Sequence, residues 1–189
     1  MDDSLIIVLV TFLTLAVALN LLLTLRLATA VHNQPVQTPL TVPIGQRLPD
    51  FAGRRYTDRS VVSAADLAGQ PAVLIFLSAA CGDCRKKLPE LLDLHPSMRS
   101  AGVLLWIVGT QSDGDIVQLL QASPLIDDLI LLPAAERLKL NPRNSAPFYI
   151  FVDHQGAALA SNFLGDEDWQ SFLQQMAEVA GSASPWSHA

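Results

Sequence analysis

Phe76-Leu77-Ser78-Ala79-Ala80-Cys81-Gly82-Asp83-Cys84 carries the only two cysteines of this 189-residue chain, three positions apart. In front of them Ala72 to Leu77 is apolar throughout, the pattern of a strand covered on both faces. Behind them Leu88, Leu91, Leu92 and His95 recur at helical spacing. The pair therefore sits at a strand-to-helix junction. The first turn of a helix has unpaired N–H groups and a partial positive charge, so a cysteine there has its thiolate stabilised and its pKa lowered. Cys84 lies one turn further in, within reach of a mixed disulfide formed at Cys81. Cys81 is expected to attack and Cys84 to resolve. As a structural bridge the pair would contribute little, because the entropy removed from the unfolded chain grows with loop length.

Outward from this junction, Val103 to Val108, closed by Gly109, predicts a second buried strand, and Leu129 to Leu132 a third. Asp113 to Gln121, with Ile116, Val117, Leu119 and Leu120, suits an amphipathic helix ended near Pro124, and Ala134 to Leu140 a short helix. Phe148 to Val152 and Ala157 to Phe163 flank Asp153-His154-Gln155-Gly156, a hairpin turn. Asp166 is expected to cap a last helix with Trp169, Phe172, Leu173, Met176 and Val179 on its apolar face. Upstream, Leu48 to Phe51 and Ser60 to Val62 read as short strands or turns around a basic loop at Arg54, Arg55 and Arg59, and Asp66 to Gly69 as one helical turn. Trp106 and Trp169 are expected in the core. Strands alternating with helices, then a hairpin and a terminal helix, indicate an α/β sandwich with a mixed sheet.

The N-terminus is different in kind. Leu5 to Leu25 has no charge, and a helix of that length rises roughly 32 Å, enough to cross a hydrocarbon core of about 30 Å. The expected organisation is a short end at 1–4, a transmembrane anchor at 5–25, an extended linker at 26–44 with Pro35, Pro39 and Pro43, the α/β domain at 45–180, and a flexible tail at 181–189. A cleaved signal peptide is the rival, since Ala28-Thr29-Ala30 has the small-x-small pattern of a cleavage site. Against it, Asp2 and Asp3 precede the run without any Lys or Arg, and the run exceeds the h-region of about 7–15 residues. Arg26, on the C-terminal side, would by the positive-inside rule leave the domain in the cytoplasm.

Four features resemble the thioredoxin superfamily, and within it the membrane-tethered TlpA/ResA-like branch. Gly45-Gln46-Arg47-Leu48-Pro49-Asp50-Phe51 is similar to that branch's opening strand, and Cys81-Gly82-Asp83-Cys84 to its active-site motif. Pro89 stands where the active-site helix is kinked, and Ser145-Ala146-Pro147-Phe148 resembles the cis-proline loop. The resemblance implies a three-layer thioredoxin-like sandwich and thiol–disulfide exchange at Cys81 and Cys84, with no cofactor beyond that disulfide. It implies a cis Pro147 against Cys81 and an Ala146 backbone that pairs with an extended substrate segment. Gly82 and Asp83 complete the motif. Phe76-Leu77-Ser78 and the anchor also look similar to MauD-type methylamine-utilisation proteins, which implies help with disulfide formation in a periplasmic amine dehydrogenase subunit.

The chain departs from these relatives at three places: Ala80 replaces a common Trp, Ile75 a buried acid, and Lys87 a Glu of ResA-like reductases. Asp83 is then the acid beside the thiols, expected to oppose the Cys81 thiolate while Arg85 and Lys86 favour it. Zinc is disfavoured, because a structural site takes four protein ligands and His32, His95, His154 and His188 are scattered. A peroxiredoxin is disfavoured because Leu74 stands where that family has Pro; copper delivery would want wider cysteine spacing and a partner His. With 12 basic and 18 acidic residues, a net charge of −6 and no run of Lys or Arg, there is no footprint for nucleic acid. The expected partners are a cysteine-containing protein substrate and a membrane or soluble redox partner. An exposed C-x-x-C on a tether is most useful where disulfides are managed, so the domain is expected in the periplasm at a bacterial inner membrane, with the cytoplasmic face as the alternative. The rival function is a non-catalytic binding or assembly module of the same fold.

Overall fold

The apolar run before the cysteines becomes β3 (Ala72–Phe76), and every residue of it is buried. The computed structural model describes residues 3–32, 42–110 and 114–182. Around β3 stand β1 (Ala52–Arg55), β2 (Val61–Ser63), β4 (Leu104–Thr110), β5 (Leu129–Leu132), β6 (Phe148–Val152) and β7 (Ala158–Phe163). They form one sheet in the order β2-β1-β5-β4-β3-β6-β7. β3 runs parallel to β4 and β4 to β5, and the other neighbours are antiparallel. β3 thus has a strand on either side and, by its period of two, one set of side chains for each face.

Val73, Ile75 and Leu77 face a cluster built with Leu91, Leu94 and Met98 of α2 (Gly82–Ser100), Ile116 and Leu120 of α3 (Gly114–Leu120), and Trp169 and Met176 of α5 (Glu167–Ser182). Ala72, Leu74 and Phe76 face the opposite cluster, with Phe51, Leu67, Trp106, Phe148 and Leu140 of α4 (Ala134–Leu140). Helices on both faces of a mixed sheet make the expected three-layer thioredoxin-like sandwich. Trp106 and Trp169 are core residues.

Several local expectations need correction. Arg54 and Arg55 are not in a loop: they belong to β1, where Arg54 pairs with Val61 and Leu131. Arg54 Nη1 donates to the Arg59 carbonyl at 3.1 Å and Arg55 Nη1 to the Asp127 carbonyl at 3.3 Å, and Arg59 itself lies after the strand, stacked over Tyr56. The opening segment forms no regular strand and touches the sheet edge through one bridge, Arg47 to Ala157, supported by the Gly45 N–H to Ala158 O at 2.7 Å. Gly109 lies inside β4 rather than closing it. A side chain there would press on Ile116 and Leu131. Pro124–Asp128 forms a short 3-10 turn where the sequence showed only a stop. His95 is buried, with Nε2 2.8 Å from Asp128 Oδ2, and burial holds the Asp128 carboxyl above its usual range.

The chain divides into two compact units, Met1–Thr38 and Pro39–Ala189. In the first, α1 (Asp3–His32) runs beyond the expected 5–25 span, so the start of the expected linker is helical. Ile7–Arg26 within it is long and apolar enough to cross a membrane, with a mean hydropathy of 2.5. In the second, Val42 is already part of the core, and α5 extends to Ser182. The linker's residues 33–41, Asp113 and the tail at 183–189 lie outside the described residues.

Asp166 links two parts of this architecture. Its Oδ1 accepts the Trp169 N–H at 2.9 Å, capping α5, and its carboxylate also accepts the buried Tyr149 hydroxyl at 2.9 and 3.1 Å. Asp166→Ala removes a cap and leaves a buried hydroxyl unpaired. The expected loss is about 2–4 kcal/mol of unfolding free energy in a urea titration of the full chain. A loss below about 0.5 kcal/mol, the size of an ordinary surface substitution, contradicts the account.

Candidate active site

The residues after β3 turn out of the sheet and deliver Cys81 as the N-cap of α2, with extended backbone (φ −89°, ψ 115°). Its sulfur accepts the Cys84 N–H at 3.3 Å, one of the orphan donors that every helix start leaves. The turn is closed by the Cys81 N–H, which donates to the Ser78 carbonyl at 3.1 Å. Arg85, one turn into α2, donates from Nη2 to the Ala79 carbonyl at 2.9 Å and so pins the loop from the other side. Cys84 is buried beneath, and the two thiols are unbridged.

From the far side of the sequence the loop before β6 closes over this turn. The Ala146–Pro147 peptide is cis, and the Cys81 thiol donates to the Ala146 carbonyl at 3.5 Å. The fold therefore brings Cys81, Cys84, Ala146 and Pro147 together. Gly82 and Asp83 stand on the exposed first turn, with open space around Gly82. Next to the motif a depression of about 420 Å³ is lined by Ala79, Ala80, Arg85, Asp115, Gln118 and Leu119. Ala80, with its short side chain, is part of that lining.

The two sulfurs are electrostatically unequal. Burial works against a thiolate at Cys81, but hydrogen bonds from the Cys84 thiol and from the Cys84 and Asp83 backbones outweigh it and hold Cys81 below the ordinary cysteine value. The Asp83 carboxylate opposes this by its charge. Burial, together with the hydrogen bond to Cys81, pushes the Cys84 thiol up to about 12. Lys86 meets Asp83 at 2.8 Å and draws that carboxyl below its usual range. The Cys81 sulfur in turn helps hold Lys86 above the ordinary lysine value, after its contact with Asp83. Arg85, expected to favour the thiolate, is engaged with Ala79 instead. Lys87 points to Glu90 at 2.8 Å, and Glu90 also accepts the Trp169 indole N–H at 2.6 Å. Lys87, through Glu90, thus helps tie α2 to α5.

Asn141 was missed in the sequence. Its side chain bonds both backbone groups of Ser145, just before the cis peptide. A trace of it was present: Asn followed by Pro142 right after an apolar helix is a stop signal, but it says nothing of where the amide goes.

With this geometry in hand, comparison with known proteins assigns the family. The chain belongs to the AhpC/TSA family, whose model matches residues 44–165. It is similar in structure to the thioredoxin domain of a thiol-disulfide oxidoreductase from Bacteroides vulgatus, at 22% identity and a TM-score of 0.61, covering 72% of this chain and 99% of that one. A thiol:disulfide interchange protein from Bacteroides sp. gives 21% identity and 0.58, covering 77% and 98%. A thiol:disulfide interchange protein of the thioredoxin family from Chlorobium tepidum gives 16% and 0.57, covering 71% and 95%. At these identities the likeness shows the fold, which is thioredoxin-like. No curated protein matches the chain by sequence.

Replacing the opposing charge tests the electrostatics. In Asp83→Asn the pH profile of Cys81 alkylation by iodoacetamide is expected to move to lower pH, because the thiolate loses a repelling neighbour. A profile that is unchanged, or moved to higher pH, contradicts it.

Proposed function

We propose that this protein is a membrane-tethered thiol–disulfide oxidoreductase that exchanges electrons with cysteines of a partner protein. The observation that carries the reading is the inequality of the two sulfurs. One caps a helix, faces a backbone carbonyl from another loop and favours its thiolate, while the other is buried directly beneath and stays protonated.

In the reductive direction the Cys81 thiolate attacks one sulfur of a substrate disulfide. An S–S bond forms between Cys81 and that sulfur, the substrate S–S bond breaks, and the other substrate sulfur leaves as a thiolate that takes up a proton. Cys84 then loses its proton and attacks the Cys81 sulfur. The mixed disulfide breaks, the second substrate thiol departs, and Cys81–Cys84 is left oxidised. The substrate gains two electrons and the protein loses two. The same steps run backwards oxidise a substrate dithiol. During the first step Ala146 presents backbone to an extended substrate segment, while the space around Gly82 and Ala80 admits it. Membership of the AhpC/TSA family and the thioredoxin-like fold support a redox role. The spacing of Pro89 and the Pro147 loop supports the TlpA/ResA-like kind, and the resemblance to MauD-type proteins supports a periplasmic enzyme subunit as substrate.

α1 supplies the tether in this reading. Its Ile7–Arg26 stretch is about 30 Å long as a helix, which matches a bilayer core. We place the domain in the periplasm, where disulfides form and are managed. Alkaline phosphatase fused after Ala189 is expected to be active. An inactive fusion whose fluorescent-protein counterpart glows in the cytoplasm contradicts the placement.

The chemistry is tested with the full chain in an insulin-reduction assay. Cys81→Ser is expected to fall to the uncatalysed rate, and Cys84→Ser to accumulate a mixed disulfide through Cys81 that dithiothreitol releases. Activity equal to wild type in Cys81→Ser favours the non-catalytic binding module and overturns the proposal, as does peroxide consumption faster than exchange with any protein disulfide.

A further inference from the structure

Asn141 is a polar residue with no exposed surface. It follows α4 directly, and its N–H still donates to the Arg137 carbonyl at 2.9 Å, completing that helix. From there the chain makes a short return through Pro142, Arg143 and Asn144 to Ser145. Asn144 takes a left-handed conformation (φ 51°), and its N–H donates to the Asn141 carbonyl at 2.9 Å. The Asn141 side chain closes the return: Nδ2 donates to the Ser145 carbonyl at 2.8 Å, and Oδ1 accepts the Ser145 N–H at 3.0 Å. Donating to and accepting from one residue, the amide imitates a paired strand. It sets both the direction of the chain and its height above α4. Ala146 follows at once, with its carbonyl 3.5 Å from the Cys81 sulfur.

We propose that Asn141 is the positioning residue for the protein substrate: it holds the Ser145-Ala146 backbone so that Ala146 is the group presented to an extended peptide at Cys81. This rests on the exchange reading above. Both backbone groups of Ser145 are engaged by Asn141, so the substrate meets the loop one residue later, at Ala146. Among the described residues both hydrogen bonds of the amide go to Ser145 and neither to a sulfur. Its effect therefore falls on substrates that have a backbone to pair and spares those that have none.

The test compares the full chain in detergent, wild type and Asn141→Leu, which keeps the branched shape in a somewhat larger side chain and removes both hydrogen bonds. Two disulfides are used: bis(2-hydroxyethyl) disulfide, which has no peptide backbone, and a disulfide-linked pair of short extended peptides. The second-order rate with the peptide disulfide is expected to fall about tenfold in Asn141→Leu. The rate with the small disulfide, and the pH profile of Cys81 alkylation, are expected to match wild type. An equal loss with both disulfides, or no loss with the peptide, overturns this inference and leaves the exchange reading standing. A wild-type chain that exchanges with neither disulfide overturns both. Should Asn141→Leu fail to fold, amide hydrogen exchange on the wild type decides. The Ser145 N–H is expected to exchange slowly and still more slowly with bound peptide, and an unprotected Ser145 amide overturns the proposal.

Discussion

The account depends on one weak interaction in a particular place: the Cys84 N–H donating to the Cys81 sulfur at the start of α2. A helix start must find acceptors for its first N–H groups, and an ionised sulfur is a better acceptor than a thiol. The same contact that completes the helix therefore favours the thiolate. The surrounding elements fix where this contact forms and what the sulfur faces. β3, buried on both faces, fixes where the chain leaves the sheet. The Arg85–Ala79 bond and the Ser78 carbonyl fix how it turns, and the loop before β6 supplies the facing carbonyl.

Among the described residues no buried carboxylate lies beneath the thiols. Ile75 is fully buried in the core, and Lys87 is turned to Glu90. The Cys84 thiol and the Cys84 and Asp83 backbone donors favour the thiolate, and the exposed Asp83 carboxylate works against them from solvent. An exposed charge is screened, whereas a backbone N–H at a helix start has a fixed position and little solvent competition. The preference of Cys81 for its thiolate is thus built into the fold, with Asp83 as a moderating influence that salt weakens.

Legibility in the sequence followed periodicity and reach. β3, β5, α4 and the Asp166 cap were readable because apolar runs, helical spacing and capping residues act within a few positions. The cysteine pair was readable because spacing alone places Cys84 one turn behind Cys81. β1 has the local pattern of a basic loop, since its pairing with β5 comes from residues more than seventy positions away and its arginines carry no strand signal. Asn141 was invisible for a related reason: a lone Asn after a helix has the same local pattern whether its amide meets water or a backbone. Arg85 was assigned to the thiol by proximity in sequence, while the rotation of α2 brings it to Ala79. Long-range pairing and side-chain direction are what local pattern lacks.

The central claim is that the two sulfurs ionise far apart, with Cys81 first. The most direct measurement is the ultraviolet thiolate absorbance of the reduced full chain as pH is raised, repeated on Cys84→Ser to assign the first step. The account predicts one thiolate appearing below the ordinary cysteine value, retained in Cys84→Ser, and a second appearing only near pH 12, where burial has pushed Cys84. Two thiolates rising together at the ordinary cysteine value would contradict it.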